Sequence, residues 1–348
     1  MSNPILGIIG GGQLGSMLAV AANKLGIKTV IFSDDVDAPA KNFSNVFVHG
    51  QYNNQAKIKE FVDKVDVITY EFENIPYETL HEINKTKTVL PKPSVNRIIQ
   101  HRLAEKDFIN NLNIRTTRYV SIEKKSEMES VSDLLPGLLK TVTLGYDGKG
   151  QYPINNLENL DSLDIDYSKG YILEKLVKLK KEISIIITRF SDNKYEIYEP
   201  IENVHEDQIL RNSKIPAEIN NKILEQSKLW ATQISEELKY IGTLCVEFFI
   251  DRNDNLYVNE IAPRVHNSGH LTINAYNVSQ FENHVRAVCK LEQITLKKVS
   301  NAKMRNIIGD QIINYRNKEH AENEFFFDYL KKEIKNKRKM GHLTTLIS

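Results

Sequence analysis

The chain has 348 residues, of which 41% are hydrophobic and 26% charged, with 46 basic against 45 acidic side chains. This composition favours a soluble globular protein of two or three domains, and it excludes fibrous and disordered classes. With a net charge of +1 and no long apolar run, we expect no nucleic-acid partner, no membrane span and a cytoplasmic location. The two cysteines, Cys245 and Cys289, cannot form a disulfide framework.

The first third of the chain alternates predicted strands and helices. Residues 5–9, 28–32 and 66–70 are short, β-branched apolar runs, whereas 13–25 and 55–62 carry apolar residues at helical spacing. This alternation favours βαβ units around a parallel sheet.

A glycine-rich segment, Gly10 to Gly15, lies between the first predicted strand and helix. It contains the pattern G-x-G-x-x-G, and Asp34 follows at the distance of a ribose-binding acid. Alone, the pattern favours a dinucleotide enzyme, but any phosphorylated ligand could use such a loop. Tight packing of strand against helix is the simpler alternative.

Two glutamates, Glu71 and Glu73, directly follow the predicted strand at 66–70. Ligands of open α/β sheets bind beyond the carboxyl ends of the strands, so this position suits a binding site. A solvated strand end explains the same residues equally well.

A second glycine-rich segment, TVTLGYDGKGQ, covers residues 141–151. Its three glycines, with Lys140 and Lys149, predict a mobile basic loop that could fold over a triphosphate. It is not a Walker A loop, and a plain β-turn is the alternative.

Two further predicted strands, 171–177 and 182–188, carry Glu174 and Glu182. An apolar strand end can hold a purine, and a carboxylate can bind ribose hydroxyls. Most such acids are simply charges at a strand end, so this signal is weak by itself.

The segments 244–250 and 256–261 predict a β-hairpin around a turn at 251–255. Symmetric pairing about that turn places Glu247 opposite Glu260, with their Cβ atoms about 5 Å apart. Two carboxylates so close repel each other unless a proton or a cation lies between them. Mg²⁺ suits this pair, since it binds one or two carboxylates together with substrate phosphates. A shifted register or an exposed hairpin face is the alternative.

The loop after this hairpin concentrates Arg264, His266, Asn267 and His270. Arginine can hold an oxyanion through two hydrogen bonds, and asparagine and histidine can donate to small polar substrates. Two histidines four residues apart bind zinc together on a helix. Pro263 and Gly269 argue against a helix here, so we do not predict a zinc site.

Together these segments resemble the ATP-grasp enzymes, and in particular the N5-carboxyaminoimidazole ribonucleotide synthetase family of purine biosynthesis. The resemblance covers essentially the whole chain through five segments: GGGQLG at 10–15, YEFEN at 70–74, GYDGKGQ at 145–151, VEFFI with NEIAPRVHNSGH at 246–270, and RKMGH at 338–342. It implies an α/β and α+β ATP-grasp fold with a Rossmann-like N-terminal domain, a central domain with a lid, and a small β-rich C-terminal domain. We place these domains at 1–93, 94–295 and 296–348.

The resemblance also implies an activity. The chain would join 5-aminoimidazole ribonucleotide and bicarbonate, converting ATP to ADP and phosphate through carboxyphosphate, with Mg²⁺ as cofactor. A homodimer is implied as well.

The site residues implied by the resemblance fall into four groups. Those for the nucleotide are Arg102, Lys140, Gly145, Tyr146, Asp147, Gly148, Lys149, Gly150, Gln151, Glu174, Lys175, Leu176, Val177, Glu182, His205, Asn259 and Glu260. Those for catalysis are Asp147, Arg264, His266 and Asn267, and those for the metal are Glu247 and Glu260. Those for aminoimidazole ribonucleotide are Gly12, Gln13, Leu14, Glu73, Lys332, Arg338 and Lys339.

The chain departs from the family pattern in three places. Val142 and Leu144 replace an arginine and a glycine before Tyr-Asp-Gly, and Asn336-Lys337 replaces Pro-Gly before the basic pair. The residues after His342 are few, so we expect a shortened C-terminal domain. These departures could remove a phosphate contact or weaken turnover.

Three alternatives follow from the residues. The first is another ATP-grasp carboxylate–amine ligase, such as a formate-using glycinamide ribonucleotide enzyme. The second is a dehydrogenase or a binding protein that uses Gly10 to Gly15, although a dehydrogenase would not need Glu247 and Glu260. The third is an impaired relative that binds Mg·ATP without turnover, which Val142 and Leu144 would allow.

Overall fold

The computed structural model describes residues 3–143, 150–161 and 163–347. Most of the predicted lid, including Gly145, Tyr146, Asp147, Gly148 and Lys149, lies outside the described residues.

The N-terminal region is a parallel α/β layer. Its elements are β1 (Leu6–Ile9), α1 (Gln13–Lys24), β2 (Thr29–Ser33), a 3₁₀ turn (Pro39–Asn42), β3 (Val46–His49), α2 (Gln55–Val62), β4 (Val67–Tyr70) and α3 (Tyr77–Asn84). The strands pair in the order β3-β2-β1-β4, all in parallel. The prediction of βαβ units is therefore confirmed. β1, β2 and β4 are buried throughout and need helices on their faces, whereas β3 is a largely exposed edge strand.

A small antiparallel sheet follows two connecting helices. The elements are α4 (Pro93–Ile99), α5 (Arg102–Asn111), β5 (Tyr119–Ile122), a 3₁₀ stretch (Lys125–Leu134), β6 (Gly137–Thr141), β7 (Gln151–Ile154), α6 (Leu157–Asp161), a 3₁₀ turn (Tyr167–Lys169) and β8 (Tyr171–Lys175). The strand order is β5-β8-β6-β7. The glycine-rich segment connects β6 to β7, whose pairing brings Lys140 opposite Gln151.

The rest of the chain builds one large sheet. Its first part contains β9 (Leu179–Arg189), β10 (Tyr195–Ile197), β11 (Ile201–Glu206), β12 (Ile209–Ile215), α7 (Asn221–Glu237), β13 (Gly242–Asp251), β14 (Leu256–Ala262), a 3₁₀ helix (Asn267–Leu271), α8 (Thr272–Ala275) and α9 (Gln280–Val288). Its last part contains β15 (Asn301–Ile308), α10 (Gln311–Arg316), β16 (Glu324–Asp328) and β17 (Lys339–Ile347). Within the described ranges the strand path is β14-β13-β9-β11-β12-β15-β17-β16, and β10 pairs with β9.

The short helix after β14 contradicts the expectation of a loop without a helix. His266 caps this helix, and Gly269 lies inside it. A Cβ atom on Gly269 would lie 2.6 Å from Oε1 of Gln280, so the glycine is needed for close approach of that side chain. Because the turn is 3₁₀ and His266 precedes it, His266 and His270 do not form the i, i+4 pair of a zinc helix.

One hydrophobic core joins the N-terminal layer to the last third of the chain. It contains Met17 and Leu18 of α1, Val285 and Val288 of α9, and Tyr329 after β16. The N-terminal layer, α9 and the segment after β16 are thus packed around the same residues. None of the described helices is long and apolar enough to cross a membrane.

His284 of α9 makes a polar link through this packing. Its Nδ1 accepts a hydrogen bond from the backbone N–H of Thr243 at 3.0 Å, and its Nε2 lies 2.8 Å from Oγ1 of Thr69 in β4. Burial lowers the pKa of His284 to about 4, since the charged ring would lose its hydration.

We predict that this histidine makes the fold sensitive to acid. An unfolded histidine has a pKa near 6.5. Between about pH 6.5 and 4, His284 is therefore protonated in the unfolded chain but remains neutral in the folded protein. Stability should fall as the pH falls through this window, by up to roughly 3 kcal/mol from His284. Urea unfolding at pH 7.5, 6, 5 and 4 measures the effect.

His284→Gln keeps an acceptor and a donor but does not titrate, so its stability should change less over the same pH range. His49→Gln, at an exposed position, is the matched control and should follow the wild type. Equal pH dependence in all three proteins would contradict the assignment.

Candidate active site

The two glutamates of the hairpin face each other as predicted. Glu247 of β13 pairs with Glu260 of β14, although the register shifts between Glu247 and Phe248. Phe248 pairs with Val258, so Asn259 is an extra residue on β14. This β-bulge brings Glu260 rather than Asn259 opposite Glu247.

Glu247 is held by a histidine from the next loop. Its Oε1 lies 2.8 Å from Nε2 of His266, and both side chains are mostly buried. Burial would raise the pKa of Glu247, but His266, His205 and Arg264 outweigh burial and lower that pKa to about 2. Glu247 is therefore ionised at neutral pH.

Glu260 is more exposed and faces the start of α5. Its Oε2 lies 3.7 Å from an Nη atom of Arg102, which the resemblance assigns to the nucleotide. Beneath it, Glu105 accepts a hydrogen bond from the backbone N–H of Ile261 at 2.6 Å. Burial, together with the charge of Glu260, raises the pKa of Glu105 to about 8. Glu105 is thus a largely protonated support for the hairpin.

Glu174 lies between two buried lysines. Its carboxylate oxygens are each 3.1 Å from an ammonium group, one from Lys140 and one from Lys106, and Thr117 donates to it at 3.0 Å. Burial would raise the pKa of Glu174, but the two lysines outweigh it and hold that pKa at about 2. Burial lowers the pKa of Lys140 despite this pairing. The cluster places positive charge at the base of the β6–β7 hairpin.

The remaining nucleotide candidates lie on neighbouring strands. Glu182 of β9 and Nδ1 of His205 of β11 are 2.5 Å apart, and this ion pair raises the pKa of His205 although burial alone would lower it. Lys175 binds the backbone carbonyl of Asp133 through its ammonium group. Leu176 is exposed and Val177 half-buried in the link between β8 and β9.

Arg264 joins the hairpin region to the N-terminal sheet. Its Nε donates to Oε2 of Glu73, and an Nη atom donates to the carbonyl oxygen of Val265 at 3.1 Å. Burial would raise the pKa of Glu73, but Arg264 outweighs it and lowers that pKa. Glu73, which is predicted to contact the ribonucleotide, is therefore in direct contact with Arg264, which is predicted to hold bicarbonate.

Asn267 is buried but its amide has no hydrogen-bond partner among the described residues. Both Oδ1 and Nδ2 are inaccessible and unsatisfied. Leaving such a group unpaired costs free energy, and natural proteins do so at few positions. This unpaired amide lies three residues beyond Arg264 in the chain.

The first glycine-rich loop is filled by the protein's own carboxylate. Oε1 of Glu71 accepts a hydrogen bond from the N–H of Gly12 at 2.6 Å. Gly10 has φ +104°, and a Cβ atom there would lie 2.7 Å from Cγ of Glu71. Burial raises the pKa of Glu71 more than this hydrogen bond lowers it. The loop therefore lacks the vacant anion site of a dinucleotide fold, which argues against the dehydrogenase alternative.

The substrate candidates near this loop differ in exposure. Gly12 and Gln13 are half-buried at the start of α1, whereas Leu14 belongs to the shared hydrophobic core. Leu14 therefore anchors the start of α1 by packing into this core.

The basic segment near the C-terminus folds back toward the N-terminal sheet. Lys332 forms an exposed ion pair with Asp37 at 2.8 Å, and Arg338 donates to the carbonyl oxygen of Glu333 at 3.2 Å. Lys339 is half-buried at the start of β17, where its carbonyl oxygen accepts from Nζ of Lys331 at 2.7 Å. Of these basic groups, Lys331 lies near enough to Glu71 to offset part of the rise that burial causes in its pKa, and Lys339 lies near enough to His205 to offset part of the rise that Glu182 causes in the pKa of that ring.

Several residues of the site were missed by sequence reasoning. Lys106 and Glu105 lie in α5, which carries no motif that would mark them, and Lys331 directly precedes the predicted Lys332 without belonging to a motif. The carboxylate of Glu71 was noticed, but its contact with Gly12 was not. A buried charge needs a partner of opposite charge or a hydrogen-bond partner. These partners are distant in the sequence, so only the folded structure identifies them.

A mixed group of possible metal ligands lies at the same place. One ligand atom each from Cys245, Glu247 and His266 lie within 4.8 Å of one another. Both cysteines are buried free thiols. Glu247 and Glu260, which are oxygen donors that face each other across the hairpin, are the set that suits Mg²⁺.

Three family models match successive parts of the chain. They describe a ribonucleotide synthetase preATP-grasp domain at 4–100, an ATP-grasp domain at 107–281 and a phosphoribosylaminoimidazole carboxylase C-terminal domain at 302–348. These matches confirm the predicted fold class. The boundaries proposed at 93 and 295 stay predictions.

Full-length relatives agree with the models. A Bacillus subtilis protein named N5-carboxyaminoimidazole ribonucleotide synthase is 37% identical over 345 residues, covering 98% of this chain and 90% of the relative. A Staphylococcus aureus N5-carboxyaminoimidazole synthetase solved with ADP has a TM-score of 0.92 at 34% identity, covering 99% of this chain and 93% of that one. An Aspergillus clavatus synthase solved with ADP and 5-aminoimidazole ribonucleotide has a TM-score of 0.90 at 26% identity, covering 99% and 94%.

We predict that Asn267 weakens the ligand-free fold. Asn267→Leu removes an unsatisfied buried amide at nearly constant volume, so the free energy of unfolding should rise by about 1–3 kcal/mol. Urea unfolding without ligands measures the change.

Asn203→Leu is the matched control, because the amide of Asn203 has partners at both ends. That variant should be destabilised. Similar destabilisation of the two variants would mean that Asn267 serves the fold rather than a ligand.

Proposed function

This chain belongs to the N5-carboxyaminoimidazole ribonucleotide synthase family of ATP-grasp ligases, and we propose which of its residues perform the family's reaction. The protein uses ATP to carboxylate 5-aminoimidazole ribonucleotide in purine biosynthesis. The observation that carries our assignment of roles is the unpaired amide of Asn267 beside the Arg264–Glu73 region.

The nucleotide end of the site is assigned to the α5, β6 and β8–β9 elements. Lys140 would face the phosphates, since Glu174 holds it in place from behind. Glu182, which is held by its contact with His205, would accept hydrogen bonds from the ribose hydroxyls. The link at 176–178 would lie along the adenine. Gln151 begins β7 and Gly150 directly precedes it, so both would lie near the phosphates beside Lys140.

Mg²⁺ is part of the proposal. Glu247 and Glu260 fit it because both are carboxylates on one face of the hairpin and Glu247 stays ionised at neutral pH. When bound, the cation would neutralise phosphate charge during transfer.

The proposed chemistry has two steps. A bicarbonate oxygen attacks the γ-phosphorus of ATP and ADP leaves, which gives carboxyphosphate. The exocyclic amine of the ribonucleotide then attacks the carbonyl carbon, phosphate leaves and the amine loses one proton.

The chain's own side chains would position both steps. Arg264 would neutralise the bicarbonate or carboxyphosphate oxygens, and the Nδ2 group of Asn267 would donate to one of them. Glu73 would hold Arg264 and face the ribonucleotide. Carboxyphosphate hydrolyses readily, so water must be excluded from it, which is the role that the resemblance gives to residues 145–151.

The ribonucleotide would bind between Gly12, Gln13 and Glu73, with Lys332, Arg338 and Lys339 near its phosphate. The Aspergillus clavatus relative was solved with this compound, which supports a site for it here. The homodimer, the cytoplasmic location and a catalytic role for Asp147 remain part of the same proposal.

We expect phosphate release from Mg·ATP to require both bicarbonate and 5-aminoimidazole ribonucleotide. Glu260→Gln and Glu247→Gln should each lower this release at least about 100-fold, because the loss of one ligand charge from a catalytic metal site costs several kcal/mol. A coupled phosphate assay measures the rates.

Glu237→Gln, at an exposed position on α7, is the control and should keep the wild-type rate. Release that ignores the ribonucleotide, or that survives in both site variants, would overturn the assignment. Folded wild-type protein that binds Mg·ATP but releases no phosphate would instead support the impaired relative.

A further inference from the structure

Lys106 of α5 carries an ammonium group that has almost no access to water. Its side chain is 2% exposed, and its Nζ atom lies 3.1 Å from Oε2 of Glu174 and 3.1 Å from Oγ1 of Thr117. A third acceptor, the carbonyl oxygen of Asn259, lies at 3.5 Å. A nucleotide in the proposed site therefore cannot touch Lys106, and any effect of this lysine on a ligand must pass through another residue.

Glu174 has more positive partners than its own charge requires. Lys140 lies 3.1 Å from its Oε1 atom, and the hydroxyl group of Thr117 donates to its Oε2 atom at 3.0 Å. One lysine and one hydroxyl donor would already satisfy a buried carboxylate. Because removing a further ammonium group from water is costly, the burial of Lys106 needs an explanation beyond the pairing of Glu174.

Lys140 is the member of this cluster that a ligand can reach. The exposed fraction of the side chain rises from 2% for Lys106 through 5% for Glu174 to 10% for Lys140. Lys140 also lies opposite Gln151 at the base of the β6–β7 hairpin, which carries the glycine-rich segment. The carboxylate of Glu174 thus separates a buried ammonium group from one that faces the site.

The charges around Lys140 are balanced only when Lys106 is counted. Burial lowers the pKa of Lys140, and four charged groups also act on it: Glu174, Lys106, Arg102 and Glu260. Two of these groups are positive and two are negative, so together they cancel and the charge of Lys140 is left over for a ligand. Without Lys106 the surroundings would be negative, and they would cancel the positive charge of Lys140.

We propose that Lys106 sets how strongly the site attracts nucleotide phosphates, without touching them, because it shares the Glu174 carboxylate with Lys140. Lys106 compensates the carboxylate from the buried side, so the site keeps a net positive charge for the ligand. Lys106 is thus a positioning residue that acts through Glu174. This inference rests on the proposed function for the place of the phosphates beside Lys140, but not for the reaction.

Binding of ADP and of adenosine tests the proposal without any turnover. Each ligand is titrated calorimetrically into the full chain in the absence of divalent cations, so that the proposed Mg²⁺ site takes no part. The ratio of the two affinities isolates the contribution of the diphosphate, because a general distortion of the site weakens both ligands. Lys106→Met removes the charge at similar length, and we expect this ratio to fall about tenfold.

Thr117→Val is the matched control for lost contacts. It removes one donor from Glu174 and one acceptor from Lys106, but it changes no charge. The fold should lose stability, whereas the ratio of ADP to adenosine affinity should stay close to that of the wild type. An equal fall of the ratio in Thr117→Val and Lys106→Met would overturn the proposal, since the contacts and not the charge would then matter.

Lys106→Met combined with Glu174→Gln restores the balance of charge. Glutamine is neutral, so the charge of Lys140 is again left over, although both of its original neighbours have changed. We expect the ratio to return toward the wild-type value. The double variant leaves no buried carboxylate short of a cation, so it also serves if Lys106→Met alone does not fold. A folded double variant whose ratio stays well below that of the wild type would contradict the proposal.

The binding experiment separates this inference from the proposed reaction. If the ratio depends on Lys106 as expected but the phosphate assay shows no release, the role of Lys106 stands and the proposed reaction fails. If the wild type binds ADP no more tightly than adenosine, the role of Lys106 is refuted together with the assignment of Lys140 to the phosphates.

Discussion

Crowded carboxylates are the constraint on which this structure depends. Glu71, Glu73, Glu174, Glu247 and Glu260 are drawn from both the N-terminal sheet and the ATP-grasp sheet. Like charges in a poorly hydrated space repel strongly, so each acid must be protonated, paired or given hydrogen-bond donors. The protein uses a hydrogen-bond donor, the Gly12 amide, for Glu71, and ion pairs with arginine for Glu73 and with lysines for Glu174. These carboxylates surround the proposed site, and a ligand carrying Mg²⁺ would compensate the negative charge that remains there.

Much of the fold was predictable because it depends on local patterns. The alternation of apolar runs predicted the βαβ order, and the turn at 251–255 predicted a hairpin in which Glu247 and Glu260 pair. The bulge that makes this pairing possible was not predictable, since an extra residue on one strand leaves no periodic signal. The 3₁₀ helix after His266 was missed for a related reason: Gly269 reads as a helix breaker, but here it makes room for Gln280. Contacts between distant segments, such as Lys106 with Glu174, have no signature in a single sequence.

The C-terminal region is a continuation of the central sheet as well as a separate matched domain. β15 pairs with β12, and Arg305 lies opposite Asn212. β12 in turn pairs with β11, where the hydroxyl of Ser213 donates to Oδ1 of Asn203. The C-terminal strands are therefore joined to the strands of the site by one continuous hydrogen-bonded sheet. The departures at Asn336 and Lys337 lie shortly before β17 of this sheet.

The loop at Gly10 to Gly15 has the backbone geometry of a dinucleotide-binding loop but contacts a side chain of its own protein. Its glycines provide the same close approach and the same free helix N-terminus as a dinucleotide loop, yet the anion they receive is the covalently attached Glu71. A ligand supplied by the chain itself is present at an effective concentration that no free metabolite reaches. The N–H of Gly12 is thus already engaged, so a dinucleotide phosphate would have to displace the Glu71 carboxyl group before it could bind there.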